Sequence, residues 1–130
     1  MEIERACFGR MAYSRGLFRE LHAAAGGLFL VARLGRAIAG YAVGSVEGGE
    51  AEIVSIAVDP AARREHVGTA LMAALLDQSA GRGAKRAVLM VRAENQPALR
   101  FYRGFGFRRV RLVEGYYEDG AAGWLMRRTL

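Results

Sequence analysis

Residues 50–58, EAEIVSIAV, read as a strand, an apolar helix begins at about Gly68, and residues 86–92, RAVLMVR, read as a second strand. A strand–helix–strand unit of this length sets its two strands parallel with a right-handed crossover. The chain is thereby committed to an α/β fold with a mixed sheet. Alternation along the first strand places Glu52, Val54, Ile56 and Val58 on one face and Ile53, Ser55 and Ala57 on the other. Leu71, Met72, Leu75 and Leu76 form one stripe of the helix, which Gly81 and Gly83 end.

The flanks extend this unit. Residues 28–34, LFLVARL, and 37–47, AIAGYAVGSVE, are two further strands, with turns at Gly35-Arg36 and Gly48-Gly49. With 50–58 they make a three-stranded antiparallel meander. Before them, Ser14 caps an expected helix through Leu17, Phe18, Leu21 and Ala25, stopped by Gly26-Gly27. Downstream, Asn95 caps a short helix with Pro97 in its first turn and Leu99 and Tyr102 on one face. Gly104 and Gly106 end that helix. Residues 107–113 and 122–129 are the last two strands, around the loop EGYYEDGAA. There is no repeat and no linker, so residues 1–130 read as a single domain.

Charge narrows the partners. Residues 1–80 carry eight Arg against nine acidic residues, whereas residues 81–130 carry eleven basic residues against four acidic ones. A basic half suits a phosphorylated ligand, an acidic protein or nucleic acid. No helix or loop interleaves aromatics with Arg as a nucleic-acid reader does, so nucleic acid is not the expected partner. The one cysteine, Cys7, excludes an internal disulfide and a Cys-rich metal site, and no metal is expected. The first ten residues mix acids and bases without an apolar core, and Leu28–Ala32 falls far short of the ~20 residues of a membrane span. The expectation is a cytoplasmic protein that does not enter the membrane. Nothing in the sequence sets an oligomeric state.

The chemistry concentrates in residues 55–72, SIAVDPAARREHVGTALM. A strand feeds a basic loop that feeds a helix, and the free N–H groups and dipole of such a helix start attract phosphate. The Gly-Lys-Ser/Thr ending of a nucleotide P-loop is absent, and one Gly does not make a dinucleotide fingerprint.

Arg63-Arg64-Glu65-His66-Val67-Gly68 resembles the Gln/Arg-x-x-Gly-x-Gly/Ala motif of the GCN5-related N-acetyltransferases, the GNAT family. Val91-Arg92-Ala93-Glu94-Asn95, with Ala98, Phe101-Tyr102 and Gly104-Phe105-Gly106-Phe107, is similar to that family's Asn-x-x-Ala-x-x-x-Tyr…Gly-Phe segment. Gly115-Tyr116-Tyr117 and the closing Leu125-Met126 extend the likeness, which is greatest to the RimI branch acting on a ribosomal-protein alanine. The resemblance implies the fold just described. Only about 27 residues precede LFLVARL, so the family's first edge strand is expected to be missing.

The same resemblance implies roles. Arg63, Arg64, Glu65, His66, Val67, Gly68 and Thr69 would hold the pyrophosphate of acetyl-CoA, and Ile56, Ala57, Val58 and Asn95 its pantetheine arm and acetyl group. Tyr102 would be the general acid at the leaving thiolate. The backbone N–H of Val58 would donate to the oxyanion. Tyr116 and Tyr117 would wall the groove for a protein or peptide N-terminus. RimI-like enzymes place a Glu where this chain has Met90, so Glu52, on the neighbouring strand, is the candidate base, with Glu94 or a water relay behind it. His66 stands where the motif has its first Gly, which implies weaker CoA binding, because a side chain tolerates the left-handed backbone poorly. The alternatives are transfer to a small amine or a lysine side chain, and a non-catalytic acyl-CoA-binding module.

Overall fold

A computed structural model describes residues 17–20, 27–34, 36–60 and 66–130. Its elements are β1 (Leu17–Glu20), β2 (Gly27–Leu34), β3 (Ala37–Glu47), β4 (Glu50–Val58), α1 (Val67–Gly81), β5 (Arg86–Arg92), α2 (Gln96–Gly104), β6 (Arg108–Val113) and β7 (Gly123–Thr129). The strands form one sheet in the order β1-β2-β3-β4-β5-β7-β6. β4 and β5 are parallel, and every other neighbouring pair is antiparallel. The meander, the crossover helix and the parallel pair stand where the sequence puts them.

The front of the chain differs. Leu17–Glu20 is not helical. It pairs antiparallel with Phe29–Ala32 and is the edge strand that the length argument leaves out. Apolar residues at 17, 18, 21 and 25 fit a helix over so short a window, but four residues beside an open edge gain ladder hydrogen bonds from β2, and context overrides spacing. Ser14, His22 and the Gly26 end of the expected helix lie outside the described residues, as does Cys7.

The core lies on one face of the sheet. Leu28 and Leu30 of β2, Ala42 of β3, Ala51 and Ile53 of β4, Ala87, Leu89 and Val91 of β5 and Met126 of β7 are buried there. Helix α1 packs on this face with a broad buried side, leaving Thr69, Asp77 and Ala80 exposed. Val67, Ala70, Leu71, Met72, Ala74, Leu75 and Leu76 are all buried. Gly44 lets it approach, since a Cβ there would lie 2.8 Å from the Glu52 carbonyl and 3.4 Å from a Leu75 methyl. Helix α2 adds Leu99, and Phe107 behind it is fully buried.

Strict alternation fails at one place in β4. Val43 pairs with Ser55 and Gly44 with Ile53, so Val54 is the extra residue of a bulge. Glu52 and Val54 are exposed, whereas beyond the bulge Ile56 and Val58 pack with Ile53 against the core. Glu52 and Val54 therefore do not share a face with Ile56 and Val58.

Candidate active site

The bulge sits where β4 leaves β5. Parallel pairing runs only from Glu50 opposite Arg86 to Ile53 opposite Leu89. A bulge bends its strand and increases the local twist, and past Val54 the two strands diverge. On its other side β4 stays bonded to β3 as far as Val58 opposite Gly40. A Cβ on Gly40 would lie 2.6 Å from the Ala57 carbonyl, so only glycine lets the strands meet there. One edge of residues 54–58 is thus held by β3, and among the described residues no strand lies beside the other.

A cavity of about 730 Å³ opens at this divergence. It is lined by Ile56, Ala57 and Val58 of β4, His66, Gly68 and Thr69 at the start of α1, and Asn95, Pro97, Ala98, Phe101 and Tyr102 of α2 and its cap. Its volume suits a large, mostly apolar ligand with a few polar anchors. The α1 end supplies donors. The first bond into the helix is from Ala70 N–H to the His66 carbonyl, 3.1 Å, so the N–H groups of Val67, Gly68 and Thr69 have no intrahelical acceptor. No acidic residue stands in this first turn, and the dipole favours an anion. His66 is the N-cap at φ 60° and ψ 29°, makes no side-chain cap bond, and has a positive φ without being glycine. The backbone there keeps the glycine-like conformation, and the histidine bears the strain.

Asn95 Oδ1 accepts from Ala98 N–H at 3.1 Å, which caps α2 and leaves the side-chain NH2 outside the cap bond, with Asn95 itself in the cavity wall. Tyr102 is half-buried, with its ring edge-on to Phe101 at 5.4 Å and to Phe107 at 6.1 Å. Burial pushes its phenol above the ordinary tyrosine value, and the hydroxyl of Tyr117 pushes it the same way. Tyr102 therefore stays protonated at neutral pH and offers a hydrogen to negative charge developing beside it.

Of the residues singled out from sequence, Ile56, Ala57, Val58, His66, Gly68, Thr69, Asn95 and Tyr102 meet at this cavity. Val67 has its side chain in the core and presents only its backbone at the helix start. Arg63, Arg64 and Glu65 lie outside the described residues. Glu52 is exposed and absent from the cavity wall, so the half-buried setting expected of a base is not there. It pairs with Val88 and shares the opposite sheet face with Met90. Tyr117 is beside that face, with its ring edge-on to Tyr116 at 4.8 Å. Pro97, Ala98 and Phe101 also line the cavity. The spacing of Asn95, Ala98 and Tyr102, three and then four residues, marks that wall in the sequence.

Among the described residues no helix is long and apolar enough to cross a membrane. A family model described as the acetyltransferase (GNAT) family matches residues 1–107. An uncharacterized N-acetyltransferase of Methanocaldococcus jannaschii is 35% identical over 126 residues, covering 96% of this chain and 80% of its own. The N-alpha-acetyltransferase RimI of Mycobacterium tuberculosis is 38% identical over 105 residues, covering 77% of this chain and 65% of its own. Among solved structures, that of Ard1 from Thermoplasma volcanium superposes with a TM-score of 0.75 at 35% identity, covering 78% of this chain and 70% of that one.

Proposed function

The chain belongs to the GNAT acetyltransferase family, and from that premise we propose that it moves the acetyl group of acetyl-CoA to the N-terminal α-amine of a protein. The observation that carries this reading is the unpaired edge of β4 beside the cavity. An extended amide-bearing arm can bond to residues 56–58 as a missing strand would, while a pyrophosphate takes the free N–H groups at Gly68 and Thr69. Arg63, Arg64 and Glu65 complete the phosphate site in this reading. The side-chain NH2 of Asn95 donates to the arm. The N–H of Val58 donates to the thioester oxygen as it gains charge.

The amine forms a bond to the thioester carbon, the carbon–sulfur bond breaks, and the amine's proton leaves. Tyr102 donates to the departing thiolate. Because burial holds its phenol above the ordinary value, it acts by a hydrogen bond that strengthens as charge develops on sulfur. Glu52, on the sheet face of Met90, accepts the amine's proton through water. An α-amine titrates near 8 and a lysine near 10.4, so at pH 7 the neutral fraction of the α-amine is roughly two hundredfold larger. A weakly placed base therefore favours the α-amine. Tyr116 and Tyr117 flank the incoming peptide, and a protein N-terminus as acceptor fits a cytoplasmic site of action. The named activity of the relative from Mycobacterium tuberculosis, an N-alpha-acetyltransferase, supports this choice of acceptor.

The test mixes the protein with acetyl-CoA and peptides beginning with Ala, peptides with internal lysine, and polyamines. Release of free CoA, with mass spectrometry placing the acetyl group on the α-nitrogen, is the expected result. Acetylation of lysine or polyamine alone moves the reading to those acceptors. Binding of acetyl-CoA without release leaves a non-catalytic module.

A further inference from the structure

The loop 114–122 between β6 and β7 is exposed over most of its length and turns on two positive-φ glycines, Gly115 and Gly120. It has bonds of its own: Tyr117 N–H to the Ala121 carbonyl at 3.1 Å, Gly120 N–H to the Tyr117 carbonyl at 2.8 Å, and Ala121 N–H to Asp119 Oδ1 at 3.1 Å. These give it a shape without tying it to the cavity.

A backbone bond from Ala93 N–H to the Ala122 carbonyl, 3.0 Å, anchors the loop's last residue, and two side-chain contacts hold its middle, both to Arg92 at the end of β5. Arg92 Nη1 lies 2.9 Å from Asp119 Oδ2. Its guanidinium carbon lies 4.4 Å from the centroid of the Tyr117 ring. One planar group thus donates to a carboxylate while it sits over an aromatic ring, a combination that suits the guanidinium fork better than the compact, strongly hydrated ammonium of lysine. Tyr117 also borders Gly123, where a Cβ would lie 3.0 Å from Met90 Cε and 3.1 Å from Tyr117 Cε2. Arg92 and Gly123 are register partners. The ring thus lies against Gly123 as well as under Arg92.

We propose that Arg92 is a positioning residue for the acceptor. By bridging Asp119 and the face of Tyr117, it fixes the 114–122 loop so that Tyr117 stands against Gly123 near Met90, on the side where the proposed reading brings in the peptide. This rests on the acetyl-transfer reading for its substrate and on the geometry alone for the clamp. The Arg92–Asp119 pair is well exposed, 39% and 59%, and such pairs add little to stability. Its loss should therefore appear in acceptor binding before it appears in folding.

The variants Arg92→Met, Arg92→Lys and Asp119→Asn test this with two readouts. Steady-state kinetics on an Ala-initiated peptide should show the peptide KM rising about tenfold in Arg92→Met and nearly as much in Arg92→Lys, as for a lost substrate-positioning contact. The KM for acetyl-CoA should stay within about twofold. Asp119→Asn, which keeps the ring contact, should fall between these and the parent. Hydrogen exchange on the same proteins, with no substrate present, should show the Tyr117, Gly120 and Ala121 amides exchanging faster in Arg92→Met while β5 and β7 amides are unchanged. Unaltered loop exchange, or equal rises in both KM values with a fall in thermal midpoint, overturns the proposal. If the parent turns over no N-terminal peptide, the acceptor assignment fails, and the exchange data alone decide the clamp.

Discussion

Ile53 of β4 pairs with Leu89 of β5 and is the last residue of β4 to do so. The next residue, Val54, is the one that the β3–β4 ladder passes over. The bulge and the loss of pairing coincide, and the cavity begins beyond that point with Ile56. A single extra residue thus frees one edge of β4 and puts Glu52 and Ile56 on opposite faces.

Gly68 separates a structural from a ligand-binding role. A Cβ there would meet Val58 Cγ2 at 3.5 Å and Phe101 Cζ at 3.6 Å, ordinary contacts that the protein accommodates. Gly68→Ala should leave the thermal midpoint unchanged or slightly raised, since Ala is the better helix former by up to about 1 kcal/mol. CoA affinity measured by calorimetry should fall about tenfold, as when a wall methyl displaces a ligand from a backbone donor. Unchanged affinity would mean that no ligand approaches the backbone there.

His66 carries left-handed strain at the α1 N-cap. His66→Gly removes roughly 1 kcal/mol of it, which in a chain of this length raises the thermal midpoint by about 3–5 °C. The relieved loop should also bind acetyl-CoA more tightly. A lower midpoint together with weaker binding would mean that the imidazole itself holds the loop or the ligand.

Tyr102→Phe keeps the ring packed against Phe101 and Phe107 and removes the donor. The expected loss is about 10²-fold in kcat, the lower range for removing one hydrogen-bond donor to developing charge, with little change in the KM for acetyl-CoA. A loss under about twofold would remove Tyr102 from the chemistry.

The same phenol sets an alkaline signature. Its value in the folded chain is raised, first by burial and then by Tyr117. The folded state therefore favours the neutral form. The stability this contributes is complete below the unfolded value of about 10 and is lost as pH rises through the higher folded value. Tyrosinate absorbance should show late-titrating signal that is partly missing in Tyr102→Phe, and the urea midpoint of that variant should fall less steeply above pH 10. Identical alkaline curves for the two proteins would contradict the burial of Tyr102.

Glu52→Gln addresses proton removal. If Glu52 accepts the amine's proton through water, the acidic limb of the rate–pH profile flattens in the variant. An unchanged limb assigns that limb to the amine itself.

The strands from 27 to 58 are legible because Gly48 and Gly49, both at positive φ, mark a tight turn that alternating apolar residues flank. The second helix is legible from Asn95 and Pro97, whose cap and first-turn roles are local. Leu17–Glu20 is misread because its strand character comes from β2, a partner that the local window does not contain. The bulge leaves no mark in the alternation, since Glu52, Val54, Ile56 and Val58 alternate perfectly in sequence. Its effect on Glu52 is visible only once the β3 register is known. Arg92 escapes for a similar reason. Asp119 lies 27 residues away, and only the β5–β7 pairing brings the two together.

The central claim is that the gap between β4 and β5 receives the acyl-CoA arm along the β4 backbone, with phosphate at the start of α1. Backbone amide NMR during a titration with CoA tests it most directly. The account predicts the largest shifts and the strongest protection from exchange at Ile56, Ala57, Val58, Gly68 and Thr69, with Asn95 side-chain resonances moving alongside. Saturable binding that leaves those amides unmoved and perturbs another face of the sheet would contradict it.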